Sequence, residues 1–341
     1  MTAPMNDQVA AIARSVLYEG YILWPYSRTA LKNQRRWTFG GVYPCAHTET
    51  GHPDDACVMR TECLLEAVSV LDLTATVRFL HVVDRRLQES EEGRFVDSLT
   101  VRGVDHVAWQ EAVEREITVR LPQLDLRRHT RRASPVEIEP DVTREALTDE
   151  SDRVVGWIVR TWQALAASVE VRIAPVASGA ARITVEVRNN SFWGGGTRDD
   201  VQRRTLVATH TILHAPSGRF VSPIDPPSYL ARHVAGCRNV GTWPVLVGTP
   251  PARDTMLSSP IILSDYPQVA PESSGDFFDA AEIDQLLVLG VLSMTKEEQA
   301  RMAETDPRTR EILERCRSMS AEDLLRLHGA TRELRAVEEA R

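Results

Sequence analysis

Between Val68 and Leu87 the chain reads VSVLDLTATVRFLHVVDRRL, alternating apolar and polar residues with a period of two through Val77, Phe79, His81 and Val83. Successive side chains of a strand point to opposite faces, so this pattern specifies one buried and one polar face, which the 3.6-residue period of a helix does not supply. The pattern returns in WQEAVEREITVRLP from Trp109, ASVEVRIAPV from Ala167, ARITVEVRNNS from Ala181 and RTLVATHTILHAPSGRFVSP from Arg204. Turn residues separate these runs at Ser178-Gly179 and Pro216-Ser217-Gly218. Consecutive alternating strands without helical periods between them point to an antiparallel sandwich- or barrel-like body. One stretch, DRVVGWIVRTWQALAAS from Asp152, reads as a helix leading into the next strand.

The two ends differ from this body. Residues 1–65 are aromatic and basic, and Pro25, Gly40-Gly41 and Pro44 break them into short helices and extended pieces packed on the body. From Pro260 the chain turns Pro- and Ser-rich, and helix signals follow. Thr295 and Glu298 form a capping box, Asp306-Pro307 an N-cap with proline at the first helical position, and Ser320 with Asp323 a third start that Gly329 ends. The expected architecture is α+β: an N-terminal segment to residue 65, a β-rich body over 66–259, and an extended segment with a cap of short helices over 260–341.

Composition removes several function classes. The 341 residues are 43% hydrophobic and 26% charged, which is globular composition, and 48 acidic against 40 basic residues leave a formal charge of −8. A mildly acidic chain does not advertise nucleic acid or anionic membrane as a partner. The amino terminus lacks a secretory pattern, and the longest apolar run, Leu286–Leu292, is far short of the ~20 residues that span a bilayer. Five cysteines, an odd number in a long chain, do not read as a disulfide framework, and the expected compartment is the cytoplasm. Asn189-Asn190-Ser191 matches a glycosylation acceptor only by chance in that setting.

The candidate chemistry lies in PCAHTETGHPDDACVMRTEC, Pro44 to Cys63, which holds three of the cysteines and two histidines. Cys45, His47, Cys57 and Cys63 supply four donors suited to zinc or iron, with His52 as a spare. The spacing is irregular: Cys45-x-His47 resembles half of a Rieske motif, but Cys57 is followed by VMR and no paired C-x-x-C knuckle occurs. The plainer reading is a solvated loop in which Cys63 opens a buried element. His210 and His214 lie four apart in a β-branched run, where strand geometry and the missing glutamate of H-E-x-x-H argue against a metal clamp. Gly194–Gly196 lack the lysine and hydroxyl of a phosphate loop and read as a hairpin tip. Neither Ser191 nor Ser217 sits in a nucleophile elbow. The basic clusters at Lys32–Trp37 and Arg127–Arg132 could stack on nucleic acid, but with net negative charge and no recognised module they read as intradomain ion pairing for the first and a solvated loop for the second. In the first of them, Arg35, Arg36 and Trp37 are residue types that concentrate binding energy at protein interfaces.

LYEGYILWPYSRTALKNQRRWTFGGVYP, MRTECLLE, SPIILSDYPQVAPESSGDFFDAAEID and TKEEQARMAETDPRTREILER together resemble an actinobacterial-type family that accompanies gene clusters for high-affinity uptake nickel–iron hydrogenases. The resemblance covers both ends of the chain and the middle only loosely. It implies an accessory protein, since the cysteine sets that hold the metals of hydrogenase subunits are missing. The expectation is a non-catalytic protein without cofactor that binds a hydrogenase subunit or maturation factor through Arg35, Arg36, Trp37, Tyr266, Phe277 and Phe278. The alternatives are a metalloprotein built on Cys45, His47, Cys57 and Cys63, and a structural protein unrelated to hydrogenase.

Overall fold

The computed structural model describes residues 7–18, 40–90, 93–268, 290–305 and 307–319. In chain order these form α1 (Asp7–Tyr18), α2 (Cys45–Glu49), β1 (Val58–Glu66), β2 (Leu71–Glu89), β3 (Phe95–Val96), β4 (Ser98–Val101), β5 (Val104–Val107), β6 (Trp109–Leu124), β7 (Thr130–Ile138) and β8 (Asp141–Thr148). There follow β9 (Val154–Trp162), β10 (Leu165–Ala177), β11 (Ala180–Asn189), α3 (Arg198–Gln202), β12 (Val207–His214), β13 (Arg219–Phe220), α4 (Ser228–Ala235), β14 (Trp243–Leu246), β15 (Thr255–Ser259), α5 (Lys296–Thr305) and α6 (Pro307–Ser318).

The fold is α+β and β-rich. One antiparallel sheet has the order β13-β1-β11-β10-β7. The other runs β14-β15-β12-β2-β9-β8, with β6 and β3 also on β2. The alternation in the sequence sets the sandwich directly: Leu71, Leu73, Ala75, Val77 and Phe79 of β2 face Val169, Val171 and Ile173 of β10 and Ile183, Val185 and Val187 of β11 across one aliphatic core. Thr61 on β1 donates to Ser258 on β15 at 2.8 Å, and Thr242 shares that serine hydroxyl at 2.8 Å, so the two sheets are also joined by a buried hydroxyl chain.

A third layer covers the opposite face of the larger sheet. Val9, Ile12, Ala13 and Val16 of α1 pack on Ile212, Val245 and Leu257, and Leu17 with Met302, Ile312 and Leu313 packs on Leu80, Val82 and Val207. The Thr295–Glu298 capping box is present: Thr295 N donates to Glu298 at 2.8 Å and Glu298 N donates back to the Thr295 hydroxyl at 3.2 Å. Helix α6 begins at Pro307, as the proline at the first helical position led one to expect, and Asp306 lies outside the described residues. The helix expected from Ser320 and the run Leu286–Leu292, apart from 290–292, lie outside the described residues. No helix among the described residues is long and apolar enough to cross a membrane.

Two local expectations are corrected. DRVVGWIVRTWQALAAS is not helical; it forms β9 and the start of β10. Val154, Val155, Ile158 and Val159 are β-branched and lose rotamer freedom in a helix, while β8 pairs along the strand and β2 pairs with Gly156–Thr161 on the other side. The stretch after Phe192 is not a hairpin tip. Thr197 and Asp200 form a capping box that starts α3.

The stretch of β1 that β13 leaves unpaired is guarded. The Glu62 amide donates to Asn239 Oδ1 at 2.7 Å, and Val240 bridges Arg60. At β14 the same task falls to the proline-rich segment. Leu246 N donates to Asp265 Oδ1 at 2.8 Å, and Tyr266 N donates to Leu246 O at 2.7 Å.

Candidate functional site

The loop between Pro44 and Cys57 is tied to the body from both ends. Val42 bridges Leu206, and buried Asn189 donates to Val42 O at 2.8 Å and to Arg204 O at 2.7 Å. Cys45 and Cys57 are joined in a disulfide with Cα atoms 4.8 Å apart. No disulfide framework was expected; this one disulfide is present, and Cys63, Cys237 and Cys316 are free. Arg188 Nη1 donates to Cys45 Sγ at 3.6 Å.

Four-donor convergence on one ion does not occur. Cys45 and His47 stand two apart on the short helix α2, and residues so spaced do not face each other. The cysteine therefore turns toward Arg188 and Cys57, and the histidine toward Asp55. Cys63 lies elsewhere again, 3% exposed in the inter-sheet core, where burial, reinforced by Cys237 and Glu62, pushes its thiol well above the usual range. The sequence set Cys45, His47, Cys57 and Cys63 is thus split into a disulfide, a polar cluster and a core thiol.

The polar cluster is built from two distant segments. His47 Nε2 lies 2.8 Å from Asp55 Oδ2, the same oxygen that accepts from Arg198 Nη1. An ionised carboxylate only accepts, so Nε2 carries the proton. Nδ1 is buried and has no partner among the described residues. The Arg198 guanidinium also donates to the Tyr43 hydroxyl and lies 4.7 Å from that ring's centroid. Trp193 meets His47 edge-on at 5.5 Å, and His52 stacks on it at 4.1 Å with planes 10° apart.

The electrostatics follow. Burial acts to raise the Asp55 pKa, but hydrogen bonds and charge from Arg198 and His47 outweigh it and hold the carboxyl below its ordinary value. Burial moves Tyr43 the other way and wins over Arg198, so its phenol is raised. The donor atoms of His47, His52 and Asp55 all lie within 4.8 Å of one another, the group among the described residues with metal-ligand character. Only His47, and His52 as a spare, were legible in the sequence. Asp55 looked solvent-facing, and Arg198 and Tyr43, 155 residues apart, carry no local signal.

The other candidates have structural roles. His210 is fully buried on β12, its Nδ1 3.1 Å from Ala208 O, and burial, with Arg78 nearby, pushes its pKa down to about 4. His214 Nδ1 pairs with the Thr255 hydroxyl at 2.9 Å. Four residues of strand hold the two histidines roughly 13 Å apart. Ser191 clips the Ala166 backbone, and Arg127 and Arg131 pair with Asp125 and Glu170.

Of the expected partner-binding residues, Tyr266 is spent on this chain. Its backbone covers β14, its hydroxyl donates to Ala252 O at 2.8 Å, and its ring packs on the main core. The segment had to satisfy an open sheet edge, and Tyr266 does so. Arg35, Arg36, Trp37, Phe277 and Phe278 lie outside the described residues.

The sequence matches no protein-family model and no curated protein.

Proposed function

We propose that the chain is a non-catalytic accessory protein that binds a protein partner, and that this partner is a nickel–iron hydrogenase subunit or a factor that matures one. The observation that carries the binding role is Phe192, 83% exposed at the head of a loop fixed on both sides. Asn189 and Ser191 hold its start through backbone hydrogen bonds, and the Thr197–Asp200 capping box holds its end. A large apolar ring displayed on a pre-ordered loop loses little entropy on docking. Trp193 follows it directly and Arg198 opens α3 six residues on, and aromatic residues with arginine are the types that dominate interface energetics. The hydrogenase identity comes from the resemblance of the two ends of the chain.

The test is affinity purification of the tagged protein from its native host under energy-limited growth, in wild-type and Phe192→Ala forms. Hydrogenase subunits or maturation factors should co-purify with the wild type above an untagged control and be lost from the variant at unchanged thermal stability. A wild-type protein that emerges alone argues against the hydrogenase partner. Equal capture by both forms removes Phe192 from the interface and shifts attention to Arg36 and Trp37.

We place this work in the cytoplasm. Cytosolic disulfides are transient, so the Cys45–Cys57 pair is expected to cycle between oxidised and reduced forms there, and thiol trapping in intact cells that finds it wholly oxidised argues against the placement.

A further inference from the structure

We propose that His47, His52 and Asp55 form a binding site for a divalent first-row metal ion, in which the cysteines take no part. Two imidazoles and one carboxylate are donors for borderline ions such as Zn²⁺, Co²⁺ or Ni²⁺, whereas Mg²⁺ and Ca²⁺ prefer all-oxygen sites. His47 Nε2 and Asp55 Oδ2 are 2.8 Å apart as hydrogen-bond partners; two tetrahedral ligands about 2.0–2.1 Å from one ion stand about 3.3 Å apart, so the ion displaces the Nε2 proton and opens the pair by about half an ångström. His52 is the member with room to turn. It is exposed and follows Gly51, whose backbone at φ +113 has open space around it.

The resting geometry states what binding must change. The His47 and His52 planes are nearly parallel, and ring lone pairs lie in those planes, so one ion cannot take both while the rings stay stacked. His52 must turn out of the stack, which its exposure permits, while His47 gives up its Nε2 proton and parts slightly from Asp55 to admit the ion. Arg198 is the competitor, since its guanidinium already occupies the Asp55 oxygen. It retains the Tyr43 hydroxyl when a metal takes that position. The disulfide contributes by closing a short loop around all three donors, which limits their freedom before the ion arrives.

The experiment is a titration of the full chain, disulfide intact, with Zn²⁺ by calorimetry and with Co²⁺ by absorbance. One equivalent should bind. His52→Ala, which removes an exposed side chain, should weaken binding at least about tenfold at unchanged melting temperature. The Co²⁺ complex should lack the intense near-ultraviolet band of thiolate ligation, and reducing the disulfide should weaken affinity by loosening the loop. Absence of binding at about 100 μM Zn²⁺, or equal binding by His52→Ala, overturns the site. A thiolate band with tighter binding after reduction overturns it too, by returning the ion to Cys45 and Cys57. Each readout is independent of any protein partner, so failure here leaves the proposed docking role untouched.

Discussion

Strand β2 carries one alternating pattern through two different environments. Over Leu71–Phe79 its core-facing positions are aliphatic or aromatic and pack against the smaller sheet. Over His81–Leu87 the same face presents His81, Val83, Arg85 and Leu87. The pairing partners change with the content: β12 lies along Thr74–Leu80, β9 replaces it along Asp84–Glu89, and β6 spans both stretches on the other edge. In the second half Arg85, 6% exposed, pairs with Glu111 at 3.3 Å, and Arg160 takes the other oxygen of that carboxylate at 2.8 Å. A separate small core of Leu87, Val101, Leu147 and Ile158 stands in for the main one. Periodicity fixes which face a side chain occupies, but residue type marks where the sandwich ends.

If that division is right, the two halves should fail differently. The largest effect belongs to the first: Phe79 is fully buried at the last core-facing position of that half, and Phe79→Ala should cost about 3–5 kcal/mol, read from urea unfolding. A loss below about 2 kcal/mol would mean the core collapses easily there and that the boundary lies earlier.

The second half should be acid-sensitive. His81 is fully buried, and burial, with Arg115 adding repulsion, pushes its pKa down to about 4 from 6.5. Above pH 6.5 both folded and unfolded forms are neutral and nothing is lost. As pH falls from 6.5 toward 4 the unfolded chain takes the proton first, so stability declines by on the order of 3 kcal/mol and levels off below 4. His210, with its pKa also near 4, adds a similar slope from the helix-covered face. His81→Leu should therefore remove about half of the stability lost between pH 6.5 and 4, in unfolding curves taken across that range. An unchanged pH dependence would mean that His81 is not the group that titrates.

The same contrast explains what was legible in the sequence. The sandwich follows from period two because a one-residue slip would turn every buried side chain out. The caps at Thr295 and Pro307 are short-range signals and were readable for that reason. The β9 stretch misled because its apolar spacing also fits a helix, and only its pairing with β2 and β8 decides. At the candidate site Cys45 and His47 drew notice as neighbours, yet helix α2 sends them apart. His47 instead found Asp55, and Asp55 found Arg198, 143 residues away. Such a contact depends on the tertiary fold and leaves no spacing to read.

The smallest expected effect is also the sharpest probe of the second half. Gly156 sits on β9 opposite Glu89, and a Cβ there would come 2.4 Å from Leu99 Cδ2 and 3.0 Å from the Gln88 carbonyl. The leucine tip can turn aside, but the carbonyl belongs to the β2 ladder and cannot. Gly156→Ala should thus lower stability by about 1–2 kcal/mol through overpacking, with faster amide exchange at Gln88 and Glu89. The opposing term is real, because alanine restricts the unfolded chain and stabilises by about 0.4–1 kcal/mol where the folded backbone accepts it. A net gain in stability would mean that β9 and β4 shift apart freely. The cluster around Leu87 would then be a loose contact, not a second core, and β2 would have one structural half and one pendant one.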